Sequence, residues 1–364
     1  MHSVSRKYLP GQALGILSQC LLIRDPKFAF SNCFSTSASY KQIKNQTTSV
    51  QIFDRYTKTL QRERAAVAKD VNLYDYLKDE IGYRLADRVF DIKRKFKLAA
   101  DIGCSRGYVS KHISPDSVEE LILYDSSQVN LDAIQIADGI KFRKKILDEE
   151  NIQFEPNSLD LVLSSLNLHW VNDLPKAFKA IINGLKQDGV FMASVFGGDT
   201  LYELRSSLQL AELERRGGIS PHISPFTEVR DIGSLLTQTG FSMLTIDTDE
   251  IIVQYPTMFE LMWDLKGMAE NNAALNRSLH LHRDTQFAAA AIYQQLYGKY
   301  DQETGKPSVP ATFQIINMIG WKPHPKHPKP LERGTGEVSF KDIHKLDQII
   351  KEVGKIKVDD DQKN

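Results

Sequence analysis

Asp101-Ile102-Gly103-Cys104-Ser105-Arg106-Gly107 follows directly on the apolar run Leu98-Ala99-Ala100. A short apolar strand that ends in an acid and turns through glycines reads as the opening of an open α/β sheet. Its turn lies at the carboxyl edge of that sheet, where ligands bind in such folds. Gly103 and Gly107 permit tight turning and close approach of a ligand to the backbone. The next apolar run, residues 121–124, ends at Asp125, which is placed to accept hydrogen bonds from two ribose hydroxyls.

Strand and helix signals alternate outward from this turn. Residues 108–113 and 128–137 read as helices, 140–142 as a strand, Asp148-Glu149-Glu150 as an acidic turn, 159–163 as a strand, 174–185 as a helix and 189–196 as a strand. Nearly all-apolar strands alternating with helices predict a parallel sheet covered on both faces. Two helical stretches, near 201–216 and 258–300, read as insertions, with strands at 243–255 and 311–321. Upstream, Leu73, Leu77, Ile81, Leu85 and Val89 recur every four residues, a helical stripe. The plan is therefore a helical segment over 52–96 and an α/β domain over 97–321, followed by a Pro-rich linker and tail over 322–364. A weak amphipathic pattern at 340–353 reads as a partner-facing or back-packing helix.

The 364 residues carry 46 Lys+Arg against 46 Asp+Glu and are 41% hydrophobic, which excludes wholesale disorder. A formal charge of zero argues against a strongly basic nucleic-acid-binding surface. No apolar stretch approaches the ~20 residues of a membrane-spanning helix. The first 40 residues contain Arg6, Lys7, Arg24 and Lys27 against the one acid Asp25 and are Ser-rich. That composition reads as a mitochondrial transit peptide over 1–36, joined by a linker over 37–51; a plain basic tail is the alternative. Cys20 and Cys33 fall in this leader, leaving Cys104 with no disulfide partner and no zinc-type spacing. A reducing compartment such as the mitochondrial matrix accommodates this.

A glycine loop plus a strand-end acid suits either a dinucleotide or S-adenosylmethionine. The dinucleotide fingerprint G-x-G-x-x-G is not met, because Ser105 stands at the middle glycine and Tyr108 at the third. S-adenosylmethionine has no pyrophosphate to cradle, and its sulfonium and amine favour acids such as Asp101. The stretch from Asp101 to Gly107, Asp125, Asn157-Ser158-Leu159-Asp160-Leu161-Val162 and Leu185-Lys186-Gln187-Asp188-Gly189 resemble the class I S-adenosylmethionine-dependent methyltransferases. The expected fold is their Rossmann-like sheet with helices on both faces, elaborated by helical N-terminal and cap insertions. More narrowly, Ser164-Ser165-Leu166-Asn167-Leu168-His169-Trp170-Val171-Asn172-Asp173-Leu174-Pro175 resembles the mitochondrial arginine hydroxylases of respiratory complex I assembly. So do Phe196-Gly197-Gly198-Asp199-Thr200-Leu201-Tyr202-Glu203-Leu204-Arg205, Pro221-His222-Ile223-Ser224-Pro225-Phe226 and Asp264-Leu265-Lys266-Gly267-Met268. The resemblance runs from about residue 52 to residue 321.

The resemblance implies a matrix protein, with the face of the inner membrane as the alternative position, that hydroxylates an arginine of a complex I iron–sulfur subunit early in assembly. Other assembly factors are further candidate partners. It also implies that Asp101, Gly103 and Gly107 contact the methionine half of S-adenosylmethionine and that Asp125 holds the ribose. Asp148 and Glu149 would lie near the adenine, with Ser164 and Ser165 as the floor. Ser105, in the same loop, departs from the glycine of the general pattern, which bears on cofactor affinity rather than on fold.

Hydroxylating an unactivated C–H bond calls for activated oxygen, usually at iron held by two His and a carboxylate. His282-Arg283-Asp284 has that spelling, but on a helix His280 and Asp284 share a face, while positions two apart do not. The spacing therefore does not support iron, and neither metal ligands nor a catalytic residue can be assigned. His169 and Trp170, after the fourth strand, are substrate-pocket candidates, although a satisfied histidine beside a packed indole is the commoner outcome. His222, between prolines, reads equally as part of a lid or as a loop residue, and His324 and His327 as solvated. Three readings stay open: the hydroxylase, an ordinary methyltransferase and a non-catalytic assembly factor that binds a partner through its helical insertions. Residues 255–268 also resemble, more loosely, the enzyme that methylates a malonyl carrier protein. Arg205 and Lys266 are its candidate carboxyl clamp.

Overall fold

A computed structural model describes Ser3, Val4, residues 51–300, 305 and 307–328. Apart from Ser3–Val4 and Gln51, the leader and linker lie outside the described residues, as does the 340–353 pattern.

Strands β1 (Phe96–Ile102), β2 (Val118–Asp125), β3 (Lys141–Ile146), β4 (Leu159–Ser165), β5 (Leu185–Phe196), β6 (Ser242–Tyr255) and β7 (Pro307–Trp321) form one sheet in the order 3-2-1-4-5-7-6. Strands β1 to β5 are parallel, and β7 runs antiparallel between β5 and β6. Two-residue strands add to the margins: Ser3–Val4 along β6, and Lys299–Tyr300 along β7. The strand order reverses between β1 and β4, so the crevice at their carboxyl ends is the expected ligand site.

Helices are α1 (Arg55–Ala66), α2 (Tyr76–Phe90), α3 (Gln128–Asp132), α4 (Leu174–Gly184), α5 (Tyr202–Arg216), α6 (Val229–Thr239), α7 (Met258–Gly267) and α8 (Arg283–Tyr297). Adjacent strand residues serve opposite cores. Ala99, Leu121 and Leu161 pack with Leu85 and Val89 of α2, whereas Ala100, Ile122 and Val162 pack with Phe178 and Ile181 of α4 and Leu236 of α6. A third core joins α5, α7 and α8 to β6 and β7, covering one end of the sheet with helical insertions. Of the predicted stripe, Leu77, Ile81, Leu85 and Val89 are buried, while Leu73 is exposed ahead of α2.

Several local predictions change in the structure. Residues 108–113 form turns rather than a helix, because Ser110 Oγ donates to Gly107 O and Gln135 O, at 3.3 and 3.0 Å. The helix predicted over 128–137 stops at Asp132, since Gln135 N and Ala137 N donate to Arg106 O and Ser110 O instead. Residues 268–282 break the second insertion into two helices. Helix α6 has no counterpart in the sequence reading.

Candidate functional site

The β1 tip turns through Gly103, Ser105 and Gly107, all with positive φ (67°, 50° and 87°). A Cβ on Gly103 would stand 1.9 Å from Asn167 Nδ2, so the turn and the loop after β4 close against each other only with glycine there. Asp125, buried at the β2 tip, organises this turn: Oδ2 accepts from Ser105 N at 2.9 Å and Oδ1 from Ser127 N at 2.8 Å and Asn130 Nδ2 at 3.2 Å. Ser164 Oγ donates to Ile102 O at 2.9 Å and ties the β4 tip to β1.

Asp101 is completely buried, and neither carboxylate oxygen has a hydrogen-bond partner among the described residues. Burial, and secondarily the charge of Asp125, push its pKa up to about 7. A buried carboxylate without partners is unfavourable, and a bound cation would relieve it. The amine and sulfonium of S-adenosylmethionine supply that charge. These residues fit the cofactor.

Glu149 lies in a short 3-10 turn after β3, capped by Asp148, whose carboxylate accepts from Glu150 N at 3.1 Å. Fully buried, Glu149 accepts from Arg62 Nη1 at 3.1 Å, from Asn167 Nδ2 at 3.0 Å and from Arg55. Burial acts to raise its pKa, but the charges of Arg62 and Arg55 outweigh it and hold the carboxyl below its ordinary value. Arg62 also donates to Asn167 Oδ1. Asp148 is half-exposed, 3.4 Å from Arg55.

Beyond β4, the 3-10 turn Leu168–Trp170 buries two rings directly after Asn167, whose side chain lies on the Gly103 turn. Trp170 Nε1 donates to Glu270 Oε2 at 2.9 Å, and Glu270 pairs with Lys78 at 2.8 Å. Burial opposes ionisation of Glu270, but Lys78 and its other polar neighbours prevail and hold the carboxyl well below the usual range. His169 packs between Phe196 and Phe226, at ring separations of 4.9 and 5.5 Å. Both its ring nitrogens lack hydrogen bonds among the described residues; Nε2 stands 3.5 Å from Glu270 without hydrogen-bond geometry. Burial lowers its pKa to about 4, so the imidazole is neutral at pH 7.

His222 Nε2 lies 3.1 Å from Glu212 of α5, so this histidine braces its loop, and Phe226 reaches the ring cluster instead. His280 and Asp284 do not share the predicted helix face, because α8 begins at Arg283 and both side chains are exposed. Arg205 Nη2 donates to Gly198 O and Thr200 O at 3.0 and 3.2 Å, and Lys266 lies over the Trp263 ring. Among the described residues no group of His, Cys, Asp or Glu converges as a metal site. Lys58, Arg62, Asn167, Phe226 and Glu270 were not singled out in the sequence. A signal existed for Arg55, Lys58 and Arg62, which share a helix face at i, i+3 and i+7.

The reversed strand order, antiparallel β7 and the acid-tipped glycine turn define a class I methyltransferase fold, and residues 76–246 match the family described as a methyltransferase domain. The chain is 52% identical over 300 residues to a zebrafish (Danio rerio) protein named "Arginine-hydroxylase NDUFAF5, mitochondrial", covering 82% of this chain and 92% of the relative. The human protein of the same name is 50% identical over 309 residues, covering 83% and 86%. A malonyl-[acyl-carrier protein] O-methyltransferase from Methylovorus sp. is 27% identical over 300 residues, covering 79% and 97%. The chain belongs to the mitochondrial arginine-hydroxylase family.

Proposed function

We propose that this protein hydroxylates an arginine of a complex I iron–sulfur subunit in the mitochondrial matrix and binds S-adenosylmethionine in the β1–β4 crevice. The observation that carries the reaction is the 52% identity spanning 92% of an arginine-hydroxylase relative. In the crevice Asp101 would hold the cofactor's amine and Asp125 its ribose. Asn167 and the backbone of the Gly103 turn would close around it. When bound, S-adenosylmethionine offers an electrophilic methyl group. The same fit makes methyl transfer a second reading, since that reaction needs chiefly positioning and exclusion of water.

Peptide mass spectrometry of complex I subunits from cells with and without the protein tests this. An arginine of the iron–sulfur subunit should carry one extra oxygen only when the protein is present. Loss of a methylene mass in its absence would replace hydroxylation by methylation. No mass change on any subunit would overturn both reactions and leave partner binding.

A further inference from the structure

Lys58 is an unusual occupant of the pocket. It is fully buried, with Nζ donating to Ala269 O at 2.9 Å and Asn271 O at 3.0 Å, and lies 3.4 Å from the centre of the Trp170 ring. Burial holds the Lys58 amine well below its ordinary pKa, as do the charges of Arg62, Lys78 and Arg55; only Glu270, itself bonded to that indole, works in favour of a cation there. The loop that presents the carbonyls contains Ala269 at φ 60°, a left-handed conformation unfavourable for a non-glycine residue. Two carbonyls, an indole face and a carboxylate field therefore converge on one point, beside the imidazole of His169, whose Nε2 lies 3.5 Å from Glu270.

Nothing in core packing requires an ammonium here; a methionine would fill the volume without the cost of burying a charge. Lys58 is the one buried residue of α1, whose other contacts across the site are polar: Arg55 and Arg62 pair with buried Glu149, and Gln61 donates to Asn272 O at 3.3 Å. Phe53, by contrast, packs edge-on against Trp170 at 5.3 Å, and Asp54 N donates to Ala273 O at 2.7 Å, so the chain is pinned just ahead of the helix. A helix pinned at one end and lying on polar contacts can lift without exposing an apolar face, but lifting parts Arg55 and Arg62 from buried Glu149, a loss the incoming ligand must offset.

We propose that the position of Lys58 Nζ is a guanidinium subsite, and that Lys58 is an internal stand-in displaced by the substrate's arginine as α1 lifts. The identity of the cation rests on the arginine reading above. A guanidinium suits the cage better than an ammonium: it is planar, more weakly hydrated and stacks on aromatic faces. Exchange returns Lys58 to water, which offsets the dehydration of the incoming arginine.

Calorimetry on the full chain with Nα-acetyl-arginine amide, and with the uncharged citrulline analogue as control, tests the subsite. Lys58→Ala, which empties the position, should bind the arginine probe at least tenfold more tightly than the wild type. The citrulline probe should gain nothing, and adding Trp170→Leu should remove the gain. Equal arginine affinity in wild type and Lys58→Ala, or an equal gain for citrulline, would overturn the proposal. Should Lys58→Ala fail to fold, hydrogen exchange of the wild type decides: the arginine probe should speed exchange of α1 amides over 56–66, and unchanged exchange at saturation would overturn it. Binding and reaction are read separately. Arginine capture without oxygen insertion would leave the subsite and remove the hydroxylase reading; oxygen insertion with no effect of Lys58→Ala would do the reverse.

Discussion

The two ends of the candidate site handle buried charge in opposite ways. At the β1 and β2 tips, Asp101 is buried with no hydrogen-bond partner on either oxygen among the described residues, and its pKa rises to about 7. At the aromatic end, Glu270 is equally buried but bonded to Lys78 and Trp170, and it is held well below its ordinary pKa. One carboxylate is left for a ligand to neutralise; the other is already neutralised by the chain. Removing the charge should therefore have opposite consequences at the two ends.

Glu270→Gln is expected to give the largest effect. It leaves Lys78, whose side chain is 12% exposed, facing a neutral amide, and breaking such a buried pair costs about 3–5 kcal/mol. Urea denaturation should show that loss, and a stability within about 1 kcal/mol of wild type would dissolve the contrast. Asp101→Asn should instead leave the thermal midpoint at pH 8 unchanged or raised while abolishing binding. The folded-state pKa of Asp101 lies above the unfolded value, so its contribution to stability falls as pH rises through about 4 to 7, and the amide removes that dependence. S-adenosylhomocysteine, which retains the amine, should bind this variant at least about 100-fold more weakly, a loss of about 2.7 kcal/mol. Near-native affinity would mean that Asp101 does not hold the cofactor.

The pH dependence sharpens the same point without a mutation. A cationic ligand binds the ionised Asp101, which in the free protein holds its proton up to about pH 7. Affinity should therefore rise between about pH 5.5 and 7, with proton release on binding, and level off as the ligand's own amine titrates near pH 8. Calorimetry in buffers of different ionisation enthalpy measures the proton directly. A flat profile with no proton released would place the ligand amine elsewhere.

What could be read from the sequence divides along the same line. The acid tip at Asp125 and the run before Asp101 follow from strand periodicity, a local property, as does the succession of strands through β5. The aromatic end is built by distant pairs: Trp170 with Glu270, 100 residues apart, Arg62 with Asn167, 105 apart, and Lys58 with Ala269, 211 apart. No spacing rule reaches those. Glu270 sits in a stretch read as continuous helix, whereas Asn272 caps a turn of its own through Ala274 N and Ser224. Local turn chemistry also overrode helix periodicity after Gly107, where Ser110 takes the carbonyls of Gly107 and Gln135.

Ser105 carries the smallest expected effect. Its place in the glycine turn departs from the family pattern, yet what the turn demands of residue 105 is a positive φ and a backbone donor. Ser105 meets both, at φ 50° and with its N donating to Asp125 Oδ2 at 2.9 Å. Left-handed backbone costs a non-glycine residue roughly 1–2 kcal/mol, and glycine's greater unfolded-state freedom returns about 0.4–1 of that. Ser105→Gly should therefore stabilise the protein by about 1 kcal/mol or less, read from the urea midpoint. S-adenosylhomocysteine affinity should move less than about threefold, because the donor to Asp125 is the backbone N–H in either case. A tenfold change would show that the serine hydroxyl itself contacts the ligand, and the acidic end would then have a polar partner of its own after all.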